Sequence, residues 1–242
     1  MQAKDRLIVA LDVATFEEAR VLIDNLEDSV DIFKVGFQQF VAYGPFITRY
    51  LQAKGKKVFL DLKFHDIPNT VASGVKSAVG LSVAPNQDKN FAPLFMLTVH
   101  TVGGREMMEA AAKAAREQAQ ALGVTKPLIV AVTVLTSAPK EESTQATVLA
   151  RARLAKEAGL DGVVASVEEA EAIRRELGKD FIIVTPGIRP AGADKGDQQR
   201  VATPAVAIAA GSSFLVVGRP IVQDANPKAA ALSILREITL AS

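Results

Sequence analysis

"FLDLKFHDIPNT", Phe59–Thr70, begins as one kind of structure and ends as another. Phe59, Leu60 and Leu62 extend an apolar run that opens at Val58, while Asp61, Lys63, His65 and Asp66 put four ionisable groups into six residues. An apolar run without polar alternation reads as a strand buried on both faces, the strand type of parallel sheets. Charges confined to its C-terminal end then fall on one rim of that sheet. In a barrel of parallel strands, that rim carries the chemistry.

Runs of the same kind recur along the chain: "LIVALDV" (7–13), "IFKVG" (32–36), "VFLDLKF" (58–64), "LFMLTVH" (94–100), "LIVAVTVL" (128–135), "GVVAS" (162–166), "FIIVTPG" (181–187) and "FLVVGR" (214–219). Helical patterns lie between them. "TFEEARVLIDNLED" starts with a capping box, Thr15 with Glu18 three residues on. The Ala- and Glu-rich stretch after the fourth run stops at Gly123, and the last helix opens with Asn226 as N-cap and Pro227 at its first position. Eight strands alternating with eight helical segments, with no break in composition, predict an α/β fold: a single-domain (β/α)8 TIM barrel over 1–242. A doubly wound open sheet is the alternative. It usually carries a Gly-rich turn after its first strand, and "LDVATFEEA" has none.

Bulk properties narrow the function. The 242 residues are 49% hydrophobic and 23% charged, with a net charge of +1. No basic or acidic block points to nucleic acid or an anionic membrane. There is no cysteine, which removes disulfides, thiolate metal sites and cysteine nucleophiles and fits a cytoplasmic protein. The N-terminal apolar run is interrupted by Asp12 and reads as a strand rather than a signal peptide. No stretch approaches the roughly 20 apolar residues of a membrane span.

In a barrel the charges converge. Asp12, Lys34, and the Asp61/Lys63 pair end the first three strands, and positions two apart share a strand face. Charges over a barrel mouth cost several kcal/mol unless paired, and the alternating signs predict pairing. A salt-bridge network that staples the barrel top would account for one such pair. Four charges on three consecutive strand ends, with Asp66 just beyond, favour an active site. His65, beside Phe64 and Pro68, reads as a hydrogen-bonded structural histidine, whereas His100 suits a structural or a site role equally. No His/carboxylate spacing marks a metal site.

Loops after strands seven and eight commonly hold phosphate in this fold. Here Gly218 lets backbone approach an anion and Arg219 offers a forked donor, with Arg189 and Gln198 on the long loop 187–204. That loop, with Gly187, Gly192 and Gly196 as candidate hinges, reads as a lid. A second long loop, 80–93, falls on the opposite, stability-bearing face.

"FLDLKFHDIPNT" resembles the signature of the orotidine 5′-phosphate decarboxylase family. "ALDV", "FKVG", "VHTVGGREMM", "AVTVLTS", "DGVVAS", "VTPGIRP", "GDQQRVATP" and "GSSFLVVGRPI" follow in the family's order, so the resemblance covers nearly the whole chain. The Asp-x-Lys-x-x-Asp core is also shared by magnesium-dependent barrels acting on 3-keto-hexulose phosphates. Two departures stand out: a longer "APNQDKN" region, and Thr98 where many members have Asn, neither expected to touch the catalytic set.

The resemblance implies cofactor-free decarboxylation of orotidine 5′-phosphate to UMP. Lys63 would protonate carbon 6 within a Lys34-Asp61-Lys63-Asp66 array. Asp12 and Lys34 would hold ribose hydroxyls, and Thr136 would lie against the pyrimidine. Arg189, Gln198, Gly218 and Arg219 would hold the phosphate. Asp66 and Thr70 would serve the other subunit of a homodimer. Two alternatives stay open: a magnesium-dependent sugar-phosphate decarboxylase or aldolase, and a barrel that binds nucleotide without turnover.

Overall fold

Each apolar run forms a strand: β1 (Leu7–Ala10), β2 (Ile32–Val35), β3 (Lys57–Phe64), β4 (Leu94–His100), β5 (Leu128–Val132), β6 (Gly162–Val164), β7 (Ile182–Thr185) and β8 (Phe214–Val217). The computed structural model describes residues 2–136, 138, 144–190 and 201–241. Neighbouring strands pair in parallel and in sequence order, and β8 returns to β1 through Ile8 opposite Val216, which closes the barrel. This is the predicted (β/α)8 TIM barrel.

Among the described residues the strands are linked by α1 (Phe16–Leu26), α2 (Phe37–Tyr43), α3 (Pro45–Ala53), α4 (Pro68–Gly80), α5 (Gly104–Leu122), α6 (Gln145–Glu157), α7 (Val167–Leu177) and α8 (Pro204–Ala209), and α9 (Arg219–Val222) and α10 (Pro227–Leu240) follow the last strand. The expected caps are present. The Thr15 hydroxyl accepts from Glu18 N at 3.2 Å, and the Glu18 carboxylate accepts from Thr15 N at 2.8 Å. Gly123 ends α5 in the left-handed region at φ 63°, and Asn226 Oδ1 caps Ala229 N at 3.1 Å. There are more helices than the eight anticipated. Gly44, at φ 55°, and Pro45 divide the β2–β3 connection into two, and α9 is a single turn after β8.

Period-two alternation sorts the apolar side chains into two cores. Ile8, Ala10, Ile32, Phe59, Met96, Val130, Val184, Phe214 and Val216 fill the barrel interior. Leu7, Val9, Phe33, Val35, Leu60 and Leu97 face outward and pack under the helices. Burial on both faces is why these strands carry no polar alternation.

Most strands stop before their apolar runs do. β5 ends at Val132, whereas its run continues to Leu135; β1 ends at Ala10, so Asp12 lies beyond the last paired residue. The extra apolar residues line a cavity at the strands' C-terminal ends instead of joining the ladder.

The opposite rim is tied down by cations on backbone oxygens. The Arg174 guanidinium donates to the carbonyls of Gly178, Lys179, Phe181 and Gly211 at 2.7–3.1 Å. Arg6 donates to Ser212 O at 2.7 Å and Ser213 O at 3.3 Å. Lys56, largely buried, donates to the carbonyls of Glu27 and Val30 just past α1. The 80–93 loop runs along this face, fastened by Ala92 N to Gln52 O at 2.9 Å and Leu94 N to Ser82 Oγ at 3.0 Å.

Candidate active site

Alternation that points Ile32 and Phe59 into the barrel also points Lys34 and Asp61 inward, one layer higher. Each is only 9% exposed. A carboxylate and an ammonium at that depth persist only with partners, and they have them. Lys34 Nζ lies 3.1 Å from Asp12 Oδ1 and 3.6 Å from Asp61 Oδ2. Lys63 Nζ lies 2.9 and 3.0 Å from the two Asp61 oxygens. The charges thus form one alternating chain, Asp12–Lys34–Asp61–Lys63. Gly36 leaves room for it: a Cβ there would meet Lys34 Nζ at 3.1 Å.

Burial pushes the Asp61 carboxyl up. The Lys34 and Lys63 charges, with hydrogen bonds from Lys63 and Thr98, outweigh it and hold the group below its ordinary value. The fold therefore favours ionised Asp61. Its contribution to stability is present above the unfolded carboxyl's value of about 3.9 and is lost as pH falls through the lower folded value.

Asp61 and Lys63 meet in a way that simple alternation does not describe. Lys63 has φ 45°, a region sparsely populated by residues with a Cβ. Between Leu60 and Phe64 the β3–β4 register slips: four steps on β3 pass two on β4, where Leu97 and Val99 are the partners. A bulge, not an even pleat, aims the lysine. The Phe37 ring centroid lies 5.7 Å from its Nζ.

Thr98, on β4 and fully buried, sits inside this bulge. Its hydroxyl accepts from Lys63 N at 2.7 Å and donates to Asp61 Oδ1 at 3.0 Å. The expectation that Thr98 stands apart from the catalytic set is therefore wrong. Its contacts lie 35 and 37 residues away in sequence, where strand-by-strand reading does not reach.

A cavity of about 460 Å³ opens over these groups, within the range of small-molecule sites. Ala10, Phe59, Val184 and Val216 form its floor. Asp12, Lys34, Asp61 and Lys63 line it together with Thr136, Arg189 and Arg219, and Gly218 lies beside Asp12, where a Cβ would come within 3.8 Å of Asp12 Oδ2. The Arg189 side chain is 8% exposed and donates to Ile188 O at 2.9 Å. Gln198, with Gly192 and Gly196 of the expected lid, lies outside the described residues. Sequence reading missed Gln223, which lines the cavity. It also missed Gln39, which donates to Val13 O at 2.6 Å and Thr15 O at 3.3 Å and so holds the loop that carries Asp12.

Asp66 and Thr70 are exposed. Within this chain Asp66 accepts from Ile67 N at 2.6 Å and, among the described residues, makes no ion pair with Lys63. His65 differs from expectation. It is exposed and stacks on His100 with ring centroids 5.8 Å apart, and no hydrogen bond to its imidazole occurs among the described residues. The reason is that β3 ends at Phe64, which leaves His65 on an open connection. His100 takes the structural role: its Nδ1 accepts from Val102 N at 3.2 Å. Burial, then the nearby charges of His65, Arg151 and Lys63, lower its pKa. Among the described residues no cluster of three or more His, Asp or Glu side chains is placed to hold a metal ion. No described helix is long and apolar enough to cross a membrane.

A family model described as "Orotidine 5'-phosphate decarboxylase / HUMPS family" matches residues 5–234. The orotidine 5′-phosphate decarboxylase of Moorella thermoacetica is 48% identical over 249 residues, covering 99% of this chain and 94% of the relative. That of Syntrophomonas wolfei is 45% identical and covers 98% of this chain and 99% of the relative. The crystal structure of the Lactobacillus acidophilus orotidine 5′-phosphate decarboxylase is similar with a TM-score of 0.81 at 36% identity, over 97% of this chain and 99% of that one.

Proposed function

We infer the roles of these side chains from one premise: the chain belongs to the orotidine 5′-phosphate decarboxylase / HUMPS family, and it decarboxylates orotidine 5′-phosphate to UMP in pyrimidine biosynthesis. The roles of the residues are our proposal. The observation that carries it is the Asp12–Lys34–Asp61–Lys63 chain lining the cavity that Arg189 and Arg219 also line.

Loss of CO2 from an sp2 carbon leaves an electron pair in the plane of the ring, where the π-system cannot delocalise it. The site must stabilise that charge electrostatically. In our reading the Lys63 ammonium lies beside carbon 6, favours the developing negative charge and then protonates the carbon. Asp61 orients Lys63 through its two carboxylate oxygens, and its own charge repels the substrate carboxylate. One such pair at ~4 Å is worth roughly 4 kcal/mol at an effective dielectric near 20. Enzymes lower barriers by about 8–23 kcal/mol, so no single contact suffices. The rest comes from positioning, to which binding of the remote phosphate contributes. Arg189, Gln198, Gly218 and Arg219 take that phosphate, Asp12 and Lys34 the ribose hydroxyls, and Thr136 the pyrimidine face. The whole chain, 1–242, acts as one catalytic domain in the cytoplasm, and the mechanism asks for no cofactor.

The test is orotate absorbance followed after adding purified protein in excess EDTA. Turnover should persist, and its absence would sink the cofactor-free reading in favour of the magnesium-dependent alternative.

We further propose a homodimer in which Asp66 and Thr70 complete the partner's site. The supporting features are that Asp66 and Thr70 are exposed and that Ile67 and Val102 nearby are 66% and 55% exposed. Mixing inactive Asp66→Ala and Lys63→Ala protomers should restore roughly a quarter of wild-type activity, since half of randomly paired dimers hold one intact site of two. No recovery despite subunit exchange would assign Asp66 to its own chain.

A further inference from the structure

The Thr98 hydroxyl is held in one orientation by what surrounds it. A hydroxyl has one proton and two lone pairs. Lys63 N–H can only donate, so the oxygen accepts there, at 2.7 Å. Ionised Asp61 can only accept, so the proton goes to Oδ1, at 3.0 Å. The same oxygen therefore fixes the backbone of one residue and the carboxylate of another. It does so where β3 slips against β4 and Lys63 takes its unfavourable φ of 45°. Thr98 is itself fully buried, so water does not compete for either bond.

We infer that Thr98 is a positioning residue for the decarboxylation: its hydroxyl sets the Asp61 carboxylate and the Lys63 backbone relative to each other, so that the lysine ammonium meets carbon 6 at a fixed place. Thr98 does not line the cavity; it acts through the two residues it holds. The role rests on the reading of Lys63 and Asp61 given above. Any side chain that presents one acceptor and one donor at the same depth serves, and asparagine has both in its amide.

The test compares Thr98→Val and Thr98→Ala, which lack the hydroxyl, with Thr98→Ser and Thr98→Asn, which keep a donor and an acceptor. Steady-state kinetics use orotidine 5′-phosphate, and unfolding midpoints are read in parallel. Val and Ala should lower kcat about 10- to 100-fold, the range of hydrogen bonds to charged groups, with KM changed less than about threefold. Ser and Asn should stay within about threefold of wild type. The acid limb of kcat/KM should also move up in pH in Thr98→Val, because Asp61 loses a donor to its ionised form. Lys34 on β2 and Lys63 on β3 remain as the charged groups that face it, with Asp12 after β1 on the far side of Lys34.

A purely structural threonine would lower the unfolding midpoint and leave kcat alone. Folded Thr98→Val with kcat within twofold of wild type overturns the inference, as does Thr98→Ser falling as far as Thr98→Ala. Should Thr98→Val not fold, the Ser and Ala pair decides by the same criterion, since both lack the same methyl. Lys63→Ala is run alongside. Turnover retained there overturns the chemical reading, whereas an inactive Lys63→Ala beside a fully active Thr98→Val overturns only the positioning role.

Discussion

At the lower rim of the barrel, Arg174 gives its guanidinium to four backbone carbonyls and Arg6 to two. At the upper rim, Lys34 and Lys63 give their ammonium groups to Asp12 and Asp61, with an open cavity beside them. Arg174 and Arg6 below close off orphaned helix and loop carbonyls, a task that ends with folding. Lys34 and Lys63 above are matched to carboxylates, and a substrate can enter the same field. Burial lowers the Arg174 pKa just as it opposes the ionised form of Asp61, so both rims meet a desolvation cost. They differ in what that cost supports: stability below, chemistry above.

The comparison can be broken from below. Arg174→Met keeps much of the apolar stem and strands several partly buried carbonyls. It should cost about 2–3 kcal/mol and lower the unfolding midpoint by about 5–10 °C for a chain of this size. At 25 °C its kcat/KM should stay within about twofold of wild type. A stable Arg174→Met protein with impaired turnover would mean that the rims are not separable. A smaller effect sharpens the comparison from above. Because Lys63 sits at φ 45°, Lys63→Gly should be more stable than Lys63→Ala by about 1 kcal/mol in urea unfolding, with both inactive. Equal stabilities would remove backbone strain from the account.

Much of this division was legible in the sequence. Unalternating runs such as 128–135 are typical of strands buried on both faces of a parallel sheet, and charges at the ends of the adjacent strands β2 and β3 meet because those strands pair. Caps at Thr15, Gly123 and Asn226 follow from local chemistry and hold. What was not legible depends on register and on contact across strands. The slip between Leu60 and Phe64 is invisible in a pattern of period two, so the route by which Lys63 reaches Asp61 was misread. Thr98 looked like a harmless change because its partners lie on β3. His65 looked embedded because Phe64 and Pro68 flank it, and sequence neighbours do not reveal that its ring lies exposed against His100. Gln39 acts through its side-chain amide on a loop 24–26 residues earlier, and no local signal marks it.

The central claim is that the upper-rim charge chain performs the reaction, with Lys63 as the proton donor. Its most direct test is the decay of orotate absorbance when folded Lys63→Ala protein meets orotidine 5′-phosphate in EDTA. The account predicts no measurable turnover while UMP binding persists. Turnover within about tenfold of the unsubstituted protein, far smaller than the loss expected when an essential group is removed, would contradict it.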